Sequence, residues 1–82
     1  MLSRSSEYAV RSVSLLATHA GDLPLQSREI AAELGLPPEF LTKILRRLAE
    51  TGVLVSQRGR SGGFRLERPP ASVSLLEVVA PF

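Results

Sequence analysis

The sequence predicts a mainly α-helical domain closed by a small β-hairpin, and three observations predict it. Residues 38–51 carry Phe40, Leu41, Ile44, Leu45 and Leu48 at the spacing of one helix face. A shorter helical run, residues 27–34 (SREIAAEL), precedes it across a turn holding Gly35, Pro37 and Pro38. The β-branched run 53–57, the glycine-rich RGRSGG and the alternating 64–67 then read as a hairpin. Two helices joined by a tight glycine-containing turn, the second followed by a hairpin, have the sequence shape of a winged helix-turn-helix.

Taken in order, residues 6–20 form the first expected helix. Ala9, Val13, Leu16, Ala17 and Ala20 share its buried face, and Glu7, Arg11, Ser14 and Thr18 face water. Ser5 or Ser6 caps its start and Gly21 ends it, because glycine takes the left-handed conformation that helix ends favour; Asp22-Leu23-Pro24 then turns the chain. Ser27 is the expected N-cap of the second helix and Gly35 its terminator, with Ile30, Ala31 and Leu34 inward. Pro37 blocks continuation, and Pro38 suits the first position of the third helix, which Gly52 closes. The wing is expected over about 53–67, ended by Pro69-Pro70. Ser74 with Glu77 three residues on reads as a capping box for a short helix over 74–80.

The 82 residues make one domain, 1–82, with a thin core, since a chain of this size buries only about 60–65% of its unfolded surface. The chain has no cysteine. A disulfide, a thiolate metal site and a cysteine nucleophile are therefore excluded, and no cofactor is expected. No run approaches the ~18 apolar residues of a membrane span, and Glu7 sits where a signal peptide is apolar, so no membrane partner and a cytoplasmic location are expected. The net charge is only +2, but it is unevenly spread. Residues 43–68 hold seven of the ten cations against two anions, leaving three cations against six anions elsewhere. A cationic half beside an acidic half points to a polyanionic partner for one surface. Nine of those ten cations are arginine, whose planar fork suits phosphates and guanine edges.

The enzyme classes find no support. His19 is the single histidine, and near a helix C-terminus it suits the dipole without further explanation. RGRSGG lacks the lysine–serine/threonine pair and the strand–loop–helix setting of a nucleotide-phosphate loop. No carboxylate pair stands out.

Double-stranded DNA fits better. A helix enters the major groove, where each base pair displays a distinct donor–acceptor pattern. Residues near the start of such a helix meet base edges, and flanking ones meet phosphate. On that geometry Glu39, Thr42 and Lys43 face bases, while Arg46 and Arg47 hold the backbone. Ser27 and Arg28, at the start of the second helix, also face the backbone, where a helix N-terminus favours an anion. Phe40 belongs to the core; Tyr8 buries its ring and turns its hydroxyl to a phosphate. In the wing, Arg58, Arg60 and Arg65 flank Gly59, Ser61, Gly62 and Gly63. Arginine enters a narrow minor groove, where the potential is most negative, and glycine lets backbone amides approach phosphate.

The chain also resembles the Rrf2 family of bacterial winged-helix transcription regulators. The resemblance runs from Ser6 to about Val79. It is carried by Glu7-Tyr8-Ala9-Val10-Arg11; Ile30-Ala31 before Leu36-Pro37; Phe40-Leu41 and Lys43-Ile44-Leu45 ahead of Leu48; Gly52-Val53-Leu54-Val55-Ser56; Arg58-Gly59 with Gly62-Gly63-Phe64-Arg65-Leu66; and Ser74-Leu75-Leu76-Glu77-Val78-Val79. It implies a homodimeric regulator, usually a repressor, on a near-palindromic operator. Helix 38–51 would lie in the major groove and wing 56–65 in the minor groove. By position, Glu39, Thr42 and Lys43 match the base contacts and Arg58, Gly59 and Arg60 the wing. The resemblance further implies that members typically continue for another fifty or more residues, through a long dimerisation helix and, in cluster-binding members, cysteine ligands. The end at Pro81-Phe82 precedes both, so either a natural short member or, as the abrupt end favours, the DNA-binding part of a longer protein is expected. The rival reading is a winged-helix protein-interaction module, with Leu2, Val78, Val79 and Phe82 as a sticky surface and the arginines as rim charges. Cations gathered across the third helix and the wing favour DNA; scattered cations favour the rival.

Overall fold

The computed structural model describes residues 3–19 and 23–82. Its elements are α1 (Arg4–Thr18), α2 (Ser27–Leu34), α3 (Pro38–Glu50), β1 (Leu54–Gln57), β2 (Gly63–Leu66), a 3₁₀ turn (Pro70–Ser72) and α4 (Leu75–Val79). Ala20, Gly21, Asp22 and Leu2, which the sequence reading gave to the first helix, its end, the following turn and an apolar surface, lie outside the described residues.

α3 is the central element. Leu41, Ile44, Leu45 and Leu48 are all buried, and Phe40 is half-buried at the stripe's edge. α1 and α2 pack on α3, β1 follows its end, and α4 returns to lie against α1. Ala9, Leu16, Ile30, Ala31, Val53, Leu54, Phe64 and Val78 complete the core. Pro38 opens α3, and Gly35 (φ 68°) and Gly52 (φ 85°) follow α2 and α3 in left-handed geometry, as the sequence indicated.

The inward face of α1 differs from expectation. Ser6 and Ser12 are buried, whereas Val13 and Ala17 are only half-covered. Both serines lie a turn from an acceptor: Ser6 Oγ donates to Ser3 O at 2.9 Å and Ser12 Oγ to Tyr8 O at 2.8 Å. Small hydroxyls satisfied by their own helix can sit where α1 passes close to its neighbours. The N-cap is Ser3, not Ser5 or Ser6; its side chain accepts from Ser6 N.

The hairpin is antiparallel, pairing Leu54 with Leu66, Val55 with Arg65, Ser56 with Phe64 and Gln57 with Gly63. Leu25, just before α2, bridges to β2 from outside this ladder: Leu25 N donates to Phe64 O at 3.0 Å and Phe64 N to Leu25 O at 2.8 Å. Gly63 makes that approach possible. Its φ is +136°, and a Cβ there would stand 2.3 Å from Leu25 O.

The Ser74–Glu77 signal is realised only in part. Ser74 Oγ accepts from Glu77 N at 3.1 Å, but the Glu77 carboxylate turns instead to Arg68. Arg68 also donates to Ser72 O at 3.1 Å, so it ties the end of the hairpin, the 3₁₀ turn and α4 together. The Arg68 hydrogen bond holds the Glu77 carboxyl below the usual carboxylate range.

Candidate nucleic-acid interface

The site is built at the start of α2. Gln26, not Ser27, is the N-cap residue. Glu29 closes a capping box on it, its carboxylate accepting from Gln26 N at 2.9 Å. Ser27 thereby moves to the first helical position, where its hydroxyl meets α3: Thr42 Oγ1 lies 3.0 Å from Ser27 Oγ and donates to Pro38 O at 2.9 Å. On its other side, Gln26 Nε2 donates to Arg60 O at 3.0 Å. Arg60 at the wing tip and Thr42 in the first turns of α3 are thus each hydrogen-bonded to one of two chain neighbours, Gln26 and Ser27, at the start of α2.

The expected base-facing residues divide. Glu39 and Lys43 are exposed on α3, as are Arg46 and Arg47 further along the helix. Arg47 makes one solvent-exposed ion pair, 3.6 Å to Glu50, of the kind that contributes little. Thr42 is half-buried, and its hydroxyl is occupied within the protein, so only its methyl group remains as a contact to offer. Arg28 is exposed at the second position of α2. The Ser27 hydroxyl is engaged, which leaves its backbone N–H, at the positive end of the helix, as the group facing outward. Tyr8 is half-buried and packs edge-to-face on Phe40, their ring centroids 5.5 Å apart at 71°.

The wing residues divide as well. Arg58, Gly59, Arg60 and Ser61 are exposed at the tip, and a Cβ at Gly59 would meet nothing within 4 Å. Gly62 and Gly63 serve the fold. Gly62 is buried, its N–H donates to Gly59 O at 3.0 Å to close the turn, and a Cβ on it would stand 2.2 Å from Gln57 O. Arg65 is half-buried, opposite Val55, and lines a groove of about 640 Å³ with Leu16, Ala17, His19, Glu67 and Arg68. It belongs to the base of the hairpin, not to the tip.

Gln26 and Leu25 went unread in the sequence, as did the partner of Arg11. Arg11, read as simply solvent-facing, donates to Leu34 O at 3.0 Å and so closes the C-terminal end of α2 onto α1. Glu29, three residues after Gln26, is the local signal that marks Gln26 as the cap; nothing local marks the other two. The apolar surface of the rival reading is not formed as expected. Val78 is buried at 3% exposure, and Val79 and Phe82 are half-buried; Leu75 (61%) and Leu76 (72%) are the exposed apolar residues of α4.

The family model described as "Rrf2: Iron-dependent Transcriptional regulator" matches residues 2–81. A Mycobacterium tuberculosis protein named as an HTH-type transcriptional regulator is 40% identical over 78 residues, covering 95% of this chain and 48% of that protein. The HTH-type transcriptional repressor NsrR of Streptomyces coelicolor is 39% identical over 66 residues, covering 79% of this chain and 45% of its own. The structure of T. potens IscR superposes with a TM-score of 0.89 at 28% identity, covering all of this chain and 60% of the other. The chain spans about half the length of the curated relatives it matches. The family description names iron, and the residues present do not fit it. The 82 residues include no cysteine, and among the described residues no three of His, Cys, Asp and Glu come together as a metal site.

Proposed function

Because this chain belongs to the Rrf2 family of transcriptional regulators, we propose that it is a DNA-binding part of such a regulator, reading operator DNA with α3 in the major groove and the wing tip in the minor groove. One observation carries the reading: two hydrogen bonds, Gln26 to Arg60 and Thr42 to Ser27, join the wing tip and α3 to adjacent residues at the start of α2. Arg28, Lys43, Arg58 and Arg60 are exposed on the elements so joined, and in this reading they form one DNA-facing surface with Arg46 further along α3. In this reading Glu39 and Lys43 meet base edges, with Glu39 accepting from cytosine and Lys43 donating to guanine. The Thr42 methyl group packs on a thymine methyl. Arg28, Arg46, Arg47 and the N–H groups at the start of α2 hold phosphates, as does the Tyr8 hydroxyl, and Arg58 and Arg60 enter the minor groove.

Repression is the regulatory sign we favour, supported by the name of the NsrR relative. A homodimer on a near-palindromic site is the proposed functional unit, because two linked half-sites gain through effective concentration. It would act in the cytoplasm, on the chromosome. Among the described residues no helix is long and apolar enough to cross a membrane.

The test is a fluorescence-anisotropy titration against random-sequence duplex DNA at several salt concentrations. Neutralising four to six phosphates gives a log–log slope of about −4 to −5, and Arg58→Ala/Arg60→Ala is expected to flatten it by about 2. Absence of salt-dependent binding would overturn the reading in favour of a protein-interaction module, for which exposed Leu75 and Leu76 are the supporting observation.

A further inference from the structure

We propose that Gln26 is a positioning residue that presets the wing against the helix-turn-helix for DNA; this rests on the DNA-binding reading above. Its place is unusual for its chemistry. Serine, threonine, aspartate and asparagine are the favoured N-cap residues, because their short side chains fold back onto the helix. Gln26 has two more side-chain carbons than serine and extends across to the wing, where its Nε2 reaches the carbonyl of Arg60. The adjacent Leu25 is paired through its backbone with Phe64, one residue from the tip-end pair Gln57–Gly63 of the same hairpin. Two consecutive residues therefore hold the wing at two heights: Leu25 on strand β2 at Phe64, Gln26 at the tip. They also lead directly into α2, whose second residue, Ser27's neighbour Arg28, is one of the proposed phosphate contacts. The wing tip carries Arg58 and Arg60 but has only short strands behind it, each of four residues. Without the Gln26 contact, the tip is held by its own turn, by the short β1–β2 ladder that ends at Gln57–Gly63 and by the Leu25–Phe64 pair. DNA affinity then falls by the fraction of time the tip spends away from its binding position.

The discriminating substitution is Gln26→Ser. It gives the S-x-x-E form of the capping box with Glu29, so the start of α2 is kept or improved, but serine cannot reach Arg60 O. A net hydrogen bond of ordinary strength then translates into a loss of about two- to fivefold in affinity for random-sequence duplex DNA. Expected alongside it are an unchanged or raised Tm and faster amide exchange at Gly62, whose N–H closes the wing turn. In the Arg58→Ala/Arg60→Ala background the same substitution is expected to have no effect on affinity, because the groups it positions are gone. A merely structural role would lower stability and affinity together and would persist in that background. Unchanged affinity and unchanged Gly62 exchange would overturn the proposal while leaving DNA binding intact. If the unsubstituted protein binds no DNA, the DNA reading fails by itself, and the exchange at Gly62 still decides whether Gln26 holds the wing.

Discussion

Arg68 and Glu77 face each other as a two-pronged ion pair, both guanidinium NH2 groups directed at the two carboxylate oxygens. The pair joins the end of the hairpin to α4, and both partners remain in contact with water. Hydrogen bonding by Arg68 holds the Glu77 carboxyl below its usual range. A carboxyl depressed by folding stabilises the native state above its unfolded pKa, and that contribution disappears as pH falls through the folded value. Glu77→Gln is therefore expected to lower Tm at neutral pH and low salt. The difference from the parent protein is expected to shrink in acid and in high salt. Thermal unfolding followed by circular dichroism over a pH and salt grid checks this; a difference constant across the grid would remove the electrostatic account.

Gly63 and Gly59 make a contrasting pair. Both have positive φ, +136° and +99°, but only Gly63 stands under another backbone. Gly59→Ala is expected to cost about 1 kcal/mol from conformation alone. Gly63→Ala adds a collision with Leu25 O and is expected to cost more than about 2 kcal/mol and to detach Leu25 from the hairpin. Urea unfolding of both variants gives the comparison, and amide exchange at Phe64 reports the detachment.

Thr42 carries two separable parts. Thr42→Val keeps the shape and a methyl group but removes the hydroxyl that meets Pro38 O and Ser27. Stability is expected to fall by about 1 kcal/mol. If the methyl group is the DNA-facing part, affinity per folded molecule is expected to stay within about twofold. A tenfold loss of affinity in an otherwise folded variant would instead assign the hydroxyl to DNA.

Leu48 is fully covered in the last turn of α3. Leu48→Ala is expected to cost about 2–5 kcal/mol, which is a large part of the roughly 4–12 kcal/mol that a domain of this length commands. Calorimetry is expected to show a strongly lowered or missing transition, whereas Arg46→Ala, on the exposed side of the same helix, is expected to leave Tm within a few degrees.

Much of this was legible in the residues. The α3 stripe is read correctly because five large apolar side chains at helical spacing admit one arrangement, with the charged face opposite. The wing is equally plain, since RGRSGG between two strand-like runs has few alternatives. What escaped the reading is what depends on distant partners. Ser27 looks like the better cap for α2 by its side chain alone, and only the fold brings Arg60 within reach of Gln26. Glu77 looks like half of a local capping box until Arg68, nine residues earlier, is folded against it. Gly62 and Gly63 look like openings for phosphate, and it is the nearby carbonyls of Gln57 and Leu25 that assign them to the fold instead. Ser6 reads as a cap and Ser12 gives no apolar signal, yet both are buried, each hydroxyl satisfied by a carbonyl about one turn back.

The wing tip is gripped through the main-chain carbonyl of Arg60, a group that every amino acid possesses. The grip is therefore indifferent to which side chain stands at position 60, and equally to those at 58 and 61. Mutation can replace the residues that would touch DNA one at a time, and selection can try new binding preferences, while the loop that displays them keeps its place. Insertions and deletions have no such freedom, because changing the number of residues between Gln57 and Gly63 moves the carbonyl out of reach.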